Sequence, residues 1–250
     1  MKNVMFFAFL SLLLCQQVRV QAQETKLTAQ FFQAYALNSI PLWEDGIAKM
    51  EESIGDDATT AQKLSMAKIY YAASTNYMAN KKKDVAGELL KKSEELLTAI
   101  LREDKKAAEA NALLSGVYGL QIGLSPIKGM TLGSKSGRLL SKALKEAPNN
   151  AIVHHFRGSN LFYTPSMFGG DVDESIEHLE KARKIMEQKK LVSSWEYLAT
   201  MAILGQAYHK KEQLDKAKTT YSTALAVAPT FGWVKYQLMP ALQKDMETAK

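Results

Sequence analysis

The fold is decided by residues 198–229, LATMAILGQAYHKKEQLDKAKTTYSTALAVAP. Two helical patterns lie in it, separated by the polar run Lys210-Lys211-Glu212-Gln213. Small residues fall where two antiparallel helices must cross, at Gly205 and Ala217, with Ala224 one turn beyond on the second helix. Large residues fall where the space between them must be filled, at Leu204, Tyr208 and Tyr221. Pro229 ends the second helix, because its ring and missing N–H cannot continue one. A helix pair of this kind cannot bury both faces alone, so the pattern calls for neighbours stacked on either side.

Residues Leu204-Gly205, Tyr208, Ala217, Tyr221, Ala224 and Pro229 together resemble the tetratricopeptide repeat (TPR) consensus at its characteristic period. The resemblance implies an all-α, right-handed superhelical solenoid of antiparallel helix pairs. Two looser copies precede it. In 149–188, Gly158, Leu161, Leu179 and Ala182 come into register if about five extra residues are accepted in the turn Tyr163–Gly170. In 108–148, Leu114, Tyr118, Leu140 and Ala143 match with about nine extra residues around 121–135. Residues 27–103 are expected to hold degenerate pairs, and 230–246 a capping helix with Phe231, Val234 and Leu238 on one side.

The spacing of apolar residues predicts helices over 27–38, 41–53, 60–79, 84–102, 106–120, 136–146, 150–163, 172–188, 193–210, 213–227 and 231–246. Asp171 should cap the helix that follows it, with Glu174 as its capping-box partner.

At the N-terminus, Lys2 precedes an apolar run from Val4 to Leu14, too short to span a bilayer and fitted to a secretory signal. Val20-Gln21-Ala22 supplies the residues a signal peptidase reads, so 1–22 is expected to be removed and 23–250 to form a single domain. The implied location is outside the cytoplasm, in the periplasm. A rival reading makes Cys15 a lipidation site, but Leu14 is not the small residue such signals place before the cysteine. Cys15 is the only cysteine, so the mature chain would have no disulfide, catalytic thiol or cysteine-ligated metal. Loss of the two cations Lys2 and Arg19 lowers the net charge from +6 to +4, with both signs interspersed, which is not a nucleic-acid footprint. The mature sequence holds no further apolar run of spanning length, so no membrane span is expected in it.

Motifs for chemistry are weak. Gly129–Ser136 has a superficial likeness to a phosphate-binding loop, but its glycine spacing is short and no strand precedes it; a flexible loop is expected there. His154 and His155 are adjacent on a helix, point about 100° apart and cannot chelate one ion together. Glu174 and His178 have i,i+4 spacing without a third ligand. No cofactor, metal site or catalytic constellation is expected, and the chain reads as a binding protein rather than an enzyme.

In the TPR family the first helix of each pair lines the concave surface. Transferred by the glycine positions, the resemblance implies a partner-binding set of His155, Ser159 and Tyr163 in one unit and Gln206, His209 and Lys210 in the next. Phe162 stands in the same set with a core role equally open. The segment Phe162–Ala182, with its glycine-bearing turn, also resembles exported bacterial TPR proteins of the TRAP-transporter T-component type. That resemblance implies a transporter or solute-binding subunit as partner. The function expected is a non-catalytic scaffold for a protein or peptide. The alternative is a small-ligand-binding accessory of an envelope transport system, with the insertions 121–135 and 163–170 over the ligand.

Overall fold

The structure is a computed structural model that describes residues 26–55 and 57–248. The expected signal segment and Cys15 lie outside them. The described residues form helices α1 (26–37), α2 (Ile40–Ile54), α3 (Thr60–Ala79), α4 (Lys83–Glu103), α5 (Ala108–Leu124), α6 (Gly129–Glu146), α7 (Ala151–Tyr163), α8 (Val172–Gln188), α9 (Trp195–Lys210), α10 (Leu214–Val227) and α11 (Met239–Thr248), with no strand among them. From α3 onward they pack as sequential antiparallel pairs of the TPR type.

One small–large–small motif recurs on the second helix of all four pairs. It reads Ala86/Leu90/Ser93, Ser136/Leu140/Ala143, Ser175/Leu179/Ala182 and Ala217/Tyr221/Ala224, and every member is buried. The matching small residue on the first helix is Ser74, Ser115, Gly158 or Gly205. Where serine replaces glycine or alanine at these crossings, its hydroxyl finds a partner across the pair or beside it. Ser175 donates to Gly158 O at 2.8 Å, Ser93 to Ala67 O at 2.9 Å, and the Ser115 and Ser136 hydroxyls meet at 2.7 Å. Buried hydroxyls tolerated in this way hide a repeat from a reader looking for Gly and Ala. The pair α3–α4, in which the sequence shows little consensus, is therefore a regular unit.

At the tightest crossing a Cβ added to Gly205 would lie 2.1 Å from Tyr221 Cε1. Tyr221 is fully buried and cannot swing away. Gly205→Ala should therefore cost about 1–3 kcal/mol despite the better helix propensity of alanine. Gly87→Ala, also within a helix but in open space, should be neutral or stabilising by up to about 1 kcal/mol. Urea melts of the two variants check the contrast; equal effects would mean that the crossing is looser than described.

Two expectations need correction. The stretch 121–135 is not a loop. α5 runs on to Leu124, a single turn Pro126–Lys128 follows, and α6 begins at Gly129, so the phosphate-loop look-alike is the first two turns of a helix. Burial of Ser136 and Leu140 against α5 holds these turns helical in spite of Gly129 and Gly133. Asp171 does cap α8, accepting from the N–H groups of Asp173 and Glu174, but Glu174 does not return the bond. Its carboxylate turns to Arg157, 2.7 Å away. A reciprocal box does occur at Thr59 and Gln62, heading α3.

The array also closes on itself. Asn38, just after α1, accepts side-chain hydrogen bonds from Asn76 and Asn80 at the end of α3. One turn earlier Tyr35 meets Trp195 of α9 and Phe231 beyond α10, each with ring centroids 5.9 Å away. Tyr71 of α3 reaches the same Trp195 at 5.9 Å and Phe156 of α7 at 5.2 Å. First and last pairs thus share one aromatic cluster, and the centre of the inner face is core.

Candidate functional site

Because the first helices of the pairs run parallel, α3, α5, α7 and α9 all end at the same edge of the array. The residues expected to bind a partner separate along this direction. His155, midway along α7, is only 2% exposed. Its Nδ1 lies 2.8 Å from Thr200 Oγ1, whose own hydroxyl donates to Glu196 O. His155 must therefore carry its proton on Nδ1 and donate it to Thr200. Burial pushes its pKa down to about 4, so the ring is neutral at physiological pH. Ser159 is also buried, and its hydroxyl donates to His155 O at 2.7 Å. Neither side chain offers a surface to a partner: transfer from a repeat consensus takes no account of Thr200 and Trp195 of α9 closing over this part of the face.

Toward the edge the face opens. Tyr163 is 58% exposed, with its ring edge-on to Phe162 at 5.0 Å. Enclosure by the surrounding face raises the pKa of its hydroxyl, and the nearby Gln206 of α9 opposes that rise. The Gln206 amide itself donates to Ala202 O at 3.2 Å. Lys210 lays its ammonium over the Phe162 ring, 5.6 Å from the centroid. Tyr163, Gln206 and Lys210 therefore form one group, built from the ends of α7 and α9. His209 is tied elsewhere, with Nε2 2.8 Å from Asp245 Oδ2 on α11. Phe162 is half-buried and acts as the platform for Lys210.

A second histidine pair appears that the sequence does not announce. His154 and His178 stack at 4.9 Å with their Nδ1 atoms 2.7 Å apart. His154 Nε2 lies 2.9 Å from Pro148 O, an acceptor only, so that nitrogen carries a proton. In its neutral form His154 then accepts at Nδ1, and His178 is the donor. Burial lowers the pKa of both rings, helped at His178 by its neighbour. The i,i+4 partner Glu174 is 3.5 Å from His178 Nε2 but bonds chiefly to Arg157. Among the described residues no group of three His, Cys, Asp or Glu could hold a metal ion. Nor is any described helix long and apolar enough to cross a membrane.

The arrangement is that of a TPR-type helical array. Residues 199–231 match the tetratricopeptide repeat family, the stretch that also carries the sequence consensus. Among solved structures, the HusA haemophore from Porphyromonas gingivalis superposes with a TM-score of 0.56 at 18% identity, over 74% of this chain and 93% of that one. TTC0263, a TPR protein of Thermus thermophilus, also gives 0.56, at 16% identity over 88% and 99%. Both likenesses are of fold. No curated protein matches the chain in sequence.

Proposed function

We propose that this chain is an exported, non-catalytic TPR scaffold, in the periplasm where the organism has one. It binds a protein or peptide partner at the open end of the inner face. The observation that carries the reading is the group Tyr163, Gln206 and Lys210. An exposed ring, an amide and a cation converge there on a fold whose usual work is protein binding. A transporter or solute-binding subunit is the first partner to seek, on the resemblance of Phe162–Ala182.

The test is capture from the native envelope fraction after mild crosslinking. Tyr163→Ala with Lys210→Glu should lower capture by about tenfold or more at unchanged melting temperature. Undiminished capture would move the site elsewhere. His155→Ala is unsuited to this purpose, because it reports folding.

A second reading, a small-ligand accessory, draws support from the fold shared with a haemophore and from exposed apolar side chains at the two insertions. Haem is the first ligand to try. Stabilisation of the chain by haem, together with a shifted haem absorption band, would favour this reading over the scaffold.

A further inference from the structure

The large apolar side chains most exposed to solvent are concentrated at one place. Ile127 (73%) and Met130 (83%) project from the α5–α6 turn, and Met167 (81%) and Phe168 (73%) from the α7–α8 turn. These turns belong to neighbouring pairs and lie on the same edge. The first helices of the two pairs, α5 and α7, run parallel and pack on one another, which brings their C-terminal turns to that edge side by side.

The turns are built rather than slack. Pro126 and Pro165 fix the backbone entering each one. In the second turn Gly169 adopts a left-handed φ of 90°, and Gly170 and Asp171 donate to Pro165 O and Leu161 O. A Cβ at Gly170 would lie 1.7 Å from Thr164 O, so only glycine fits. The loop is thus held in a shape that leaves Met167 and Phe168 in water.

Cations flank the apolar tips: Lys81, Lys82 and Lys83 in the preceding turn and Lys128 between Ile127 and Met130. The acids at this edge are Asp84, Asp171, Asp173, Glu174, Glu212 and Asp215. Three of them are engaged, Asp173 with Lys211 at 2.9 Å, Glu174 with Arg157 at 2.7 Å and Asp171 with the start of α8.

We infer that this edge docks on an anionic lipid surface, with Ile127, Met130, Met167 and Phe168 entering the headgroup boundary and Lys83 and Lys128 meeting lipid phosphates. The shape selects lipid over a protein. The side chains protrude from separate turns and form no groove, so a protein partner would need a matched pocket for each, whereas a bilayer deforms around all four. The inference is independent of what the inner face binds.

The full chain should be mixed with vesicles of phosphatidylcholine with and without phosphatidylglycerol. A Phe168→Trp reporter should shift its emission to the blue, and be quenched by brominated lipid, only on the anionic vesicles. Replacing Ile127, Met130, Met167 and Phe168 with serine should weaken binding by about tenfold or more, and raised salt should weaken the wild type. The apolar run near the N-terminus is common to every variant, so differences between variants report on the turns. If the serine variant melts early, Lys83→Glu with Lys128→Glu should lose binding at low salt instead. A reporter indole that stays in water on vesicles that hold the chain would overturn the inference, as would a serine variant that binds like the wild type. So would indifference to all vesicles, including the case in which the same serines abolish capture of a protein.

Discussion

Trp195→Ala is expected to destabilise the protein by about 3–5 kcal/mol, more than truncation of any surface aromatic. The indole is 5% exposed and stands where three separate elements meet, with Tyr35 of α1 and Tyr71 of α3 each 5.9 Å away and His155 of α7 at 6.4 Å. In an open solenoid each repeat touches only its neighbours, and loss of one ring would be felt by one interface. Here the ring joins the first pair to the last, so its removal also uncouples α1 and leaves a hole that surrounding helices cannot close. Urea denaturation gives the cost, and proteolysis at Lys26 on the exposed side of α1 gives the uncoupling. Trp195→Phe should recover more than half of the loss. A cost below about 1 kcal/mol for the alanine variant would mean that the ends do not meet as described, because a buried indole in a closed cluster cannot be removed so cheaply.

How far the sequence could be read follows from which interactions are local. The pair 198–229 is legible because a glycine facing a tyrosine leaves a mark at fixed spacing on a single helix pair. The helices themselves are legible for the same reason, as apolar stripes. The pair α3–α4 carries the same small–large–small motif, but with Ser74 and Ser93 at the crossings, and a buried serine is indistinguishable on paper from a surface one. Closure of the array is a different matter. Tyr35 and Trp195 are separated by most of the chain, and nothing near either residue states that they touch. Because closure was not visible, His155 and Ser159 read as binding residues by their repeat positions, whereas Tyr163, Gln206 and Lys210 lie beyond the filled part of the face. The pairing of His154 with His178 is hidden in the same way: each residue sits at an ordinary helical position, and only the crossing of α7 with α8 brings them together.

Stability should fall as pH drops from about 6.5 toward 4, in a window set by the buried histidines. The sign follows from burial. His155 has its pKa lowered from 6.5 to about 4 in the folded chain, so between those values the unfolded chain binds the proton that the folded chain refuses. Its contribution is fully present above 6.5, declines through the window and is lost below 4. The whole shift corresponds to about 3 kcal/mol. His154 and His178 shift the same way and add to the slope, although protonating His178 would also let Nε2 donate to Glu174, which limits its share. Carboxylates held low by cationic partners against the opposing pull of burial, such as Glu109 beside Lys68, destabilise the fold only when they take up protons, below their usual 4.5. Measurements between 4.5 and 6.5 therefore leave these carboxylates out. Glu196, whose pKa burial raises above 4.5, opposes the slope there, equally in wild type and variant, so the difference between the two isolates His155. His155→Gln retains a donor for Thr200 and cannot titrate; its stability should be nearly flat where the wild type slopes, apart from the smaller term from the His154–His178 pair. If wild type and His155→Gln fall in parallel across that window, His155 is not the group that resists the proton, and the enclosure assigned to it by Thr200, Phe156 and Trp195 is wrong.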